Sequence, residues 1–224
     1  MPQNKALHVA LVGDSTVFEY ASDSPMRGWG QVIAEYLPGN ISIINEARCG
    51  ASTKTYPSEL WKSLLAIRLD YIVIQFGHND SHARGNVESA DPATEYPQNL
   101  RCYIFEARIA GITPILVTPV SRRTYRDGRA TNELGPYAEA MKAVAAELQV
   151  DLIDLHATSA KLFESLGEAG TEPFTINKLD TADRPGAEDR THFTSTGAHA
   201  IARIVAPELL KILTAEKDLA ISKN

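Results

Sequence analysis

Cysteine is almost missing from this 224-residue chain: Cys49 and Cys102 are the only two. That excludes a disulfide-stapled scaffold and leaves either one bridge or two reduced thiols open. No stretch approaches the ~20 apolar residues of a membrane span. The first apolar run, residues 6–12, ends in Gly13-Asp14 and reads as a strand, not as the core of a signal peptide. Positive charge is scarce as well. With 22 Lys+Arg against 28 Asp+Glu the formal net charge is -6, which argues against nucleic acid as a partner, because phosphates call for Lys/Arg patches. No Ser/Gly/Pro-rich linker interrupts the pattern, so a single domain over residues 1–224 is expected. The chain as it stands reads as cytoplasmic; a secreted protein without its leader would look nearly the same.

What is present is alternation. At 44% hydrophobic residues the chain can bury a sizeable core. Apolar runs at 9–12, 41–47, 71–76, 114–117 and 150–155 read as strands. Helical spacing follows over 29–37, from Ser58, over 96–110, 134–148 and 158–166, and from Ser195 to about residue 213. Pro38-Gly39 stops the first helix, Pro57 marks the entry of the second, and Gly111 suits the end of the third. Five βα units predict an α/β fold with a parallel sheet and helices on both faces. Two connections, Ser81–Glu95 and Gly167–Asp189, are longer than such a fold requires. Long connections at the ligand edge are more often functional than idle.

Four fragments carry chemistry: Gly13-Asp14-Ser15-Thr16, Cys49-Gly50-Ala51-Ser52, Gly77-His78-Asn79-Asp80 and Asp189-Arg190-Thr191-His192. The first three follow strands, and in an open parallel sheet ligands bind beyond the carboxyl ends of the strands. Ser15, at a strand-to-helix turn, has two roles open to it: helix N-cap or nucleophile, the latter only beside a base. Among the six histidines, His8 lies at the wrong edge and His199 inside the last helix, whereas His78, His82, His156 and His192 follow strands or sit in loops. His192 has the best setting. Asp189 precedes it by three residues, and a loop of that length can fold back so that the carboxylate accepts from Nδ1 and leaves Nε2 free as base. Asp189 as a mere turn cap is the alternative.

An acyl-transfer intermediate needs donors for its oxyanion. The N–H groups of Ser15 and Gly50 with the Asn79 amide would supply three, although Asn79 also suits a turn. His78-Asn79-Asp80-Ser81-His82 invites a metal reading, but zinc-type sites gather ligands from several loops and no partner is evident elsewhere. No metal and no cofactor are expected. Cys49 reads as a small apolar filler behind a turn, not as a nucleophile. Arg122-Arg123 with Arg126 and Arg129 reads as a solvated loop, with contact to an acidic substrate as the alternative.

Taken together, Gly13-Asp14-Ser15, Gly50, Gly77-His78-Asn79-Asp80 and Asp189-x-x-His192 resemble the SGNH (GDSL-like) hydrolases, whose four letters map onto Ser15, Gly50, Asn79 and His192. The resemblance implies a flavodoxin-like three-layer α/β/α sandwich with five parallel strands in the order 2-1-3-4-5. A narrower likeness runs through Gly28-Trp29-Gly30, Asn45-Glu46-Ala47, Gln75-Phe76-Gly77, Thr118-Pro119-Val120, Arg122-Arg123 and Phe193. These look like rhamnogalacturonan acetylesterases, which remove acetyl groups from pectic polysaccharide. The sequence departs from them at Ala51, where arginine is expected, and over residues 167–188.

The expected protein is therefore a metal-independent serine esterase with an acetylated carbohydrate as substrate: Ser15 as nucleophile, His192 as base, Asp189 as its orienter. A short-chain carboxylesterase or a lipase/thioesterase-like relative is the alternative within the enzymes. A flavodoxin-like binding protein is the alternative outside them, since fold alone does not fix function.

Overall fold

The structure, a computed structural model, describes residues 6–176 and 189–221. In chain order the elements are β1 (Leu7–Gly13), α1 (Trp29–Val32), β2 (Ile41–Asn45), α2 (Ser58–Ala66), β3 (Tyr71–Gln75), α3 (Glu95–Ile109) and β4 (Thr113–Val117). Then come β5 (Tyr125–Arg126), β6 (Arg129–Ala130), α4 (Gly135–Leu148), β7 (Asp151–Ile153), α5 (Leu155–Thr171), β8 (Thr175–Ile176), β9 (Asp189–Phe193) and α6 (Ser195–Ile221). Five strands form one parallel sheet in the order β2-β1-β3-β4-β7. The expected order is present, its fifth strand being β7 because the hairpin β5/β6 intervenes.

Side chains alternate across a strand with period two, and the sheet uses both faces. Val9 and Leu11 of β1, Val73 of β3 and Ile115 of β4 pack with Trp29 of α1, Phe163 of α5 and Ile201, Val205 and Leu209 of α6. Ala10, Val12, Ile72, Ile74 and Leu116 point the other way, onto Trp61 of α2, Leu100 and Ile104 of α3, and Met141 and Val144 of α4. Near-continuous apolar strands are what a sheet covered on both sides demands.

Several boundaries move for local reasons. β2 ends at Asn45, two residues early, because Asn45 turns the chain: its Oδ1 accepts from Ala47 N at 3.1 Å and its Nδ2 donates to the Val17 carbonyl at 2.8 Å. β7 is only three residues and α5 starts at Leu155 rather than 158, since the Asp154 side chain caps the helix by accepting from Ala157 N at 3.1 Å. α1 is one turn, continued as a 3-10 turn over Ile33–Tyr36. α5 breaks at Gly167, whose φ of 66° is not helical, and resumes to Thr171. The helix expected to end at 213 runs on to Ile221. Part of the long connection expected over 167–189 is thus structured, and residues 177–188 lie outside the described residues.

Candidate active site

The order 2-1-3 makes β1 the strand from which the chain departs both ways, and that reversal opens a crevice at the carboxyl edge. β1 pairs with both neighbours there, Leu11 opposite Asn45 and Gly13 opposite Gln75. The ladder to the second block continues past the strands through Glu46 N to Leu11 O and Arg48 N to Gly13 O, both 2.9 Å. Loops bearing Ser15, Gly50 and Asn79 therefore leave from adjacent strands.

Ser15 occupies a turn, but no helix follows it; the next helix begins at Trp29. The N-cap role is excluded. Asp14 shapes the turn instead, its Oδ1 accepting from Thr16 N at 2.9 Å and Thr16 Oγ1 at 2.7 Å. A buried chain of side chains fixes this from below: Trp29 Nε1 donates to Gln75 Oε1 (2.8 Å), and Gln75 Nε2 donates to Thr16 Oγ1 (2.7 Å). Gly28 lets α1 approach, since a Cβ there would lie 2.4 Å from the Phe18 carbonyl oxygen. Tyr20 closes the outer side by donating to the Ser15 carbonyl at 3.0 Å. Sequence reading missed this scaffold, though polar Gln75 in an otherwise apolar strand was its visible sign.

Of the histidines, His192 alone meets the serine: its Nε2 lies 2.8 Å from Ser15 Oγ, and its Nδ1 lies 2.6 Å from Asp189 Oδ2. Asp189 fills both roles left open for it. Oδ1 caps the turn, accepting from Thr191 N and His192 N at 2.9 Å each, while Oδ2 holds the ring. Burial works against its charge, but the hydrogen bond and charge of His192 and the two N–H groups outweigh it and hold the carboxyl at about 2. The segment is a strand rather than the expected loop. β9 pairs antiparallel with β8 and bridges Arg27 through Phe193.

Four of the other five histidines are committed elsewhere, and His8 stands at the start of β1. His78 is buried with Nδ1 3.2 Å from Asp14 Oδ2; His82 pairs with Glu88 at 2.7 Å; His156 sits between Asn132 Oδ1 (2.6 Å) and the Pro119 carbonyl (3.2 Å); His199 meets Tyr36. Asp80 turns to Thr53. The cluster His78/Asp80/His82 thus points in three directions, and among the described residues no three His, Cys, Asp or Glu side chains gather as for a metal.

Gly50 has φ of +75°, strained for any residue with a Cβ, and open space where a Cβ would stand. Among the described residues neither Ser15 N–H nor Gly50 N–H donates to a protein acceptor. Asn79, nearly buried, donates through Nδ2 to the Ala51 carbonyl at 2.8 Å, tying the third block to the second. The other proton on that nitrogen is left over. Cys49 and Cys102 are free and exposed, so Cys49 is no buried filler. The basic cluster divides. Arg126 and Arg129 are exposed on the hairpin, whereas Arg122 donates to Glu133 and to Ser81 Oγ, and Arg123 is fully buried.

Asp80 gives a prediction about stability. Burial pushes its carboxyl up to about 7 against the pull of the Thr53 donors. A raised acid keeps its proton in the folded state while the unfolded chain ionises near ~3.9. Stability is therefore lost progressively as pH rises from about 4 to 7, by at most about 4 kcal/mol. Asp80→Asn should raise the Tm at pH 8 and much less at pH 4.5; an equal shift at both would show that the charge is not the cause.

Residues 11–200 match the GDSL-like Lipase/Acylhydrolase family. The chain belongs to that family. It is 40% identical over 204 residues to the probable rhamnogalacturonan acetylesterase YesY of Bacillus subtilis (strain 168), covering 90% of this chain and 91% of that one. It is 36% identical over 228 residues to the rhamnogalacturonan acetylesterase RhgT of the same organism, covering 98% and 97%. The crystal structure of YxiM from Bacillus subtilis superposes with a TM-score of 0.75 at 26% identity, over 94% of this chain but 57% of that one. The acetylxylan esterase Axe2 of Geobacillus stearothermophilus shares the fold, with a TM-score of 0.68 at 18% identity over 93% and 96%.

Proposed function

We propose that this GDSL-family chain is a serine acetylesterase that removes acetyl groups from carbohydrate, pectic rhamnogalacturonan or a related acetylated polymer. The observation that carries the chemistry is the unbroken relay Ser15 Oγ, His192 Nε2, His192 Nδ1, Asp189 Oδ2, with separations of 2.8 and 2.6 Å. Ser15 Oγ attacks the acetyl carbon as its proton passes to His192 Nε2. The N–H groups of Ser15 and Gly50 and the Asn79 amide receive the oxyanion. His192 returns the proton to the departing sugar oxygen, leaving acetyl-Ser15. It then takes a proton from water as that water attacks the acetyl carbon, and gives the proton to Ser15 Oγ as the acyl bond breaks and acetate leaves.

The sugar reading is supported by the named activities of YesY and RhgT and by what borders the crevice. A depression of about 260 Å³ beside Gly50 is lined by the charged and polar Arg48, Thr55 and Glu88 together with the small apolar Ala51, Pro57 and Val87. The connection after β3 supplies Val87 and Glu88, and it carries no apolar lid. An acyl chain without a fitted slot costs ~1–3 kcal/mol when forced in. Activity per enzyme, as kcat/KM, should then fall roughly 10–100-fold from acetyl to octanoyl esters, and acetate should be released from acetylated oligosaccharide. Octanoyl esters turning over faster than acetyl esters would favour a lipase-type role instead.

A further inference from the structure

Arg123 reacts with nothing, yet it grips the segment that carries both the base and its orienter. It follows β4 through Thr118-Pro119-Val120, and its side chain is 0% exposed. Nη2 donates to the backbone carbonyl of His192 and, at 3.4 Å, to that of Asp189; Nε donates to Thr175 Oγ1 at 3.3 Å. The guanidinium carbon stands 4.2 Å from the centre of the Phe193 ring, close enough for cation–π attraction. The main chain joins in, Arg123 N donating to the Arg190 carbonyl at 3.0 Å. One residue thus bonds to the carbonyls of residues 189, 190 and 192.

The strand's other ties lie beside the catalytic pair: Arg27 N donates to the Phe193 carbonyl at 2.8 Å and Arg190 pairs with Glu168 and Glu172, and none of these reaches the carbonyl of Asp189 or His192. The ladder partner of β9 is the two-residue β8, and the register slips between Thr175 and Ile176. A cation here is also a costly choice. Among the described residues no carboxylate forms an ion pair with Arg123, and Nη1 has no hydrogen-bond partner. Burial pulls its pKa down to about 10, which leaves it charged at neutral pH. An apolar side chain would fill the volume at less cost in desolvation. What an apolar side chain cannot do is bond two carbonyls from one rigid planar fork.

We propose that Arg123 is a positioning residue for the catalytic pair: by fixing the carbonyls of Asp189 and His192 it holds Nδ1 on the carboxylate and Nε2 on Ser15. The proposal rests on Ser15, His192 and Asp189 being the catalytic groups. Its test uses the full chain as Arg123→Lys, which keeps the charge and loses the fork, and as Arg123→Met. Three readouts are taken: kcat and KM on a soluble acetyl ester, the rate at which a fluorophosphonate labels Ser15, and the low-field proton signal of His192 Nδ1–H. Misplacement of a reacting group by an ångström costs ~10²-fold. Both kcat and labelling should therefore fall together by about that factor in Arg123→Lys, with KM nearly unchanged and the low-field signal lost.

Val144→Ala, in the core of the opposite face, serves as the control for stability alone: at a comparable drop in Tm it should label at the wild-type rate. If Arg123→Met does not fold, Arg123→Lys decides the matter. Wild-type labelling and turnover in a folded Arg123→Lys would overturn the positioning role. A wild-type protein that resists the fluorophosphonate would instead overturn the serine mechanism beneath it.

Discussion

Ser15→Ala and His192→Ala should each lower kcat by roughly 10⁶-fold, and the double variant should lose little more. Nucleophile and base act as one unit: without the hydroxyl there is nothing to deprotonate, and without Nε2, 2.8 Å away, the hydroxyl stays protonated. Neither change should unfold the protein. The serine deletion removes one oxygen from a turn shaped by Asp14, Thr16 and Gln75, and the histidine ring is 29% exposed, so little packing is lost. Acetate release by the purified variants, beside their melting curves, tests this. Residual rates above water are expected, because the oxyanion donors remain. Ester hydrolysis by Ser15→Ala at the wild-type rate would end the serine mechanism.

Much of this was legible in the chain, and the failures have physical causes. The five sheet strands were visible because both faces of the sheet are covered, so each reads as a largely apolar run bounded by turns, broken only by single polar residues such as Ser42 in β2. Their order followed from the family resemblance. The ends were less legible wherever a polar side chain intervened, as Asn45 does in stopping β2 and Asp154 in starting α5. The hairpin β5/β6 was missed although Asp127-Gly128, with φ of 51° and 73°, is a strong turn signal. Its flanks, Tyr125-Arg126 and Arg129-Ala130, show no alternating apolar pattern to accompany it.

The site divides in the same manner. Ser15, Asp189 and His192, which the structure brings within hydrogen-bond distance of one another, could be proposed from the chain because reactive side chains come in few kinds and their spacing constrains them. Supporting groups are ordinary residues whose role exists only in three dimensions. Arg123 looked like one of four solvated arginines, and nothing in its neighbours says that its side chain passes under a strand 66 residues further on. Asp14 and His78 meet across 64 residues in the same way.

The subtlest substitution should be among the most damaging. Asp189→Asn is expected to lower kcat by roughly 10⁴-fold with the fold intact. The asparagine Oδ1 can still accept from Thr191 N and His192 N, now at 2.9 Å from the carboxylate oxygen it replaces, so the turn survives. The second oxygen becomes an NH₂ facing His192 Nδ1 across 2.6 Å. A donor there forces the ring to carry its proton on Nε2, where it points at Ser15 and cannot accept. The charge disappears too. The wild-type carboxyl, held at about 2, is ionised throughout the pH range of any practical assay, whereas the amide offers the imidazolium of the transition state nothing to pair with. Asp189→Ala separates the two effects: it abolishes the turn cap as well, and should lose stability where Asp189→Asn does not. Steady-state kinetics of both variants with the fluorophosphonate labelling rate would check this. Near-normal turnover by Asp189→Asn would mean that the carboxylate only caps its turn.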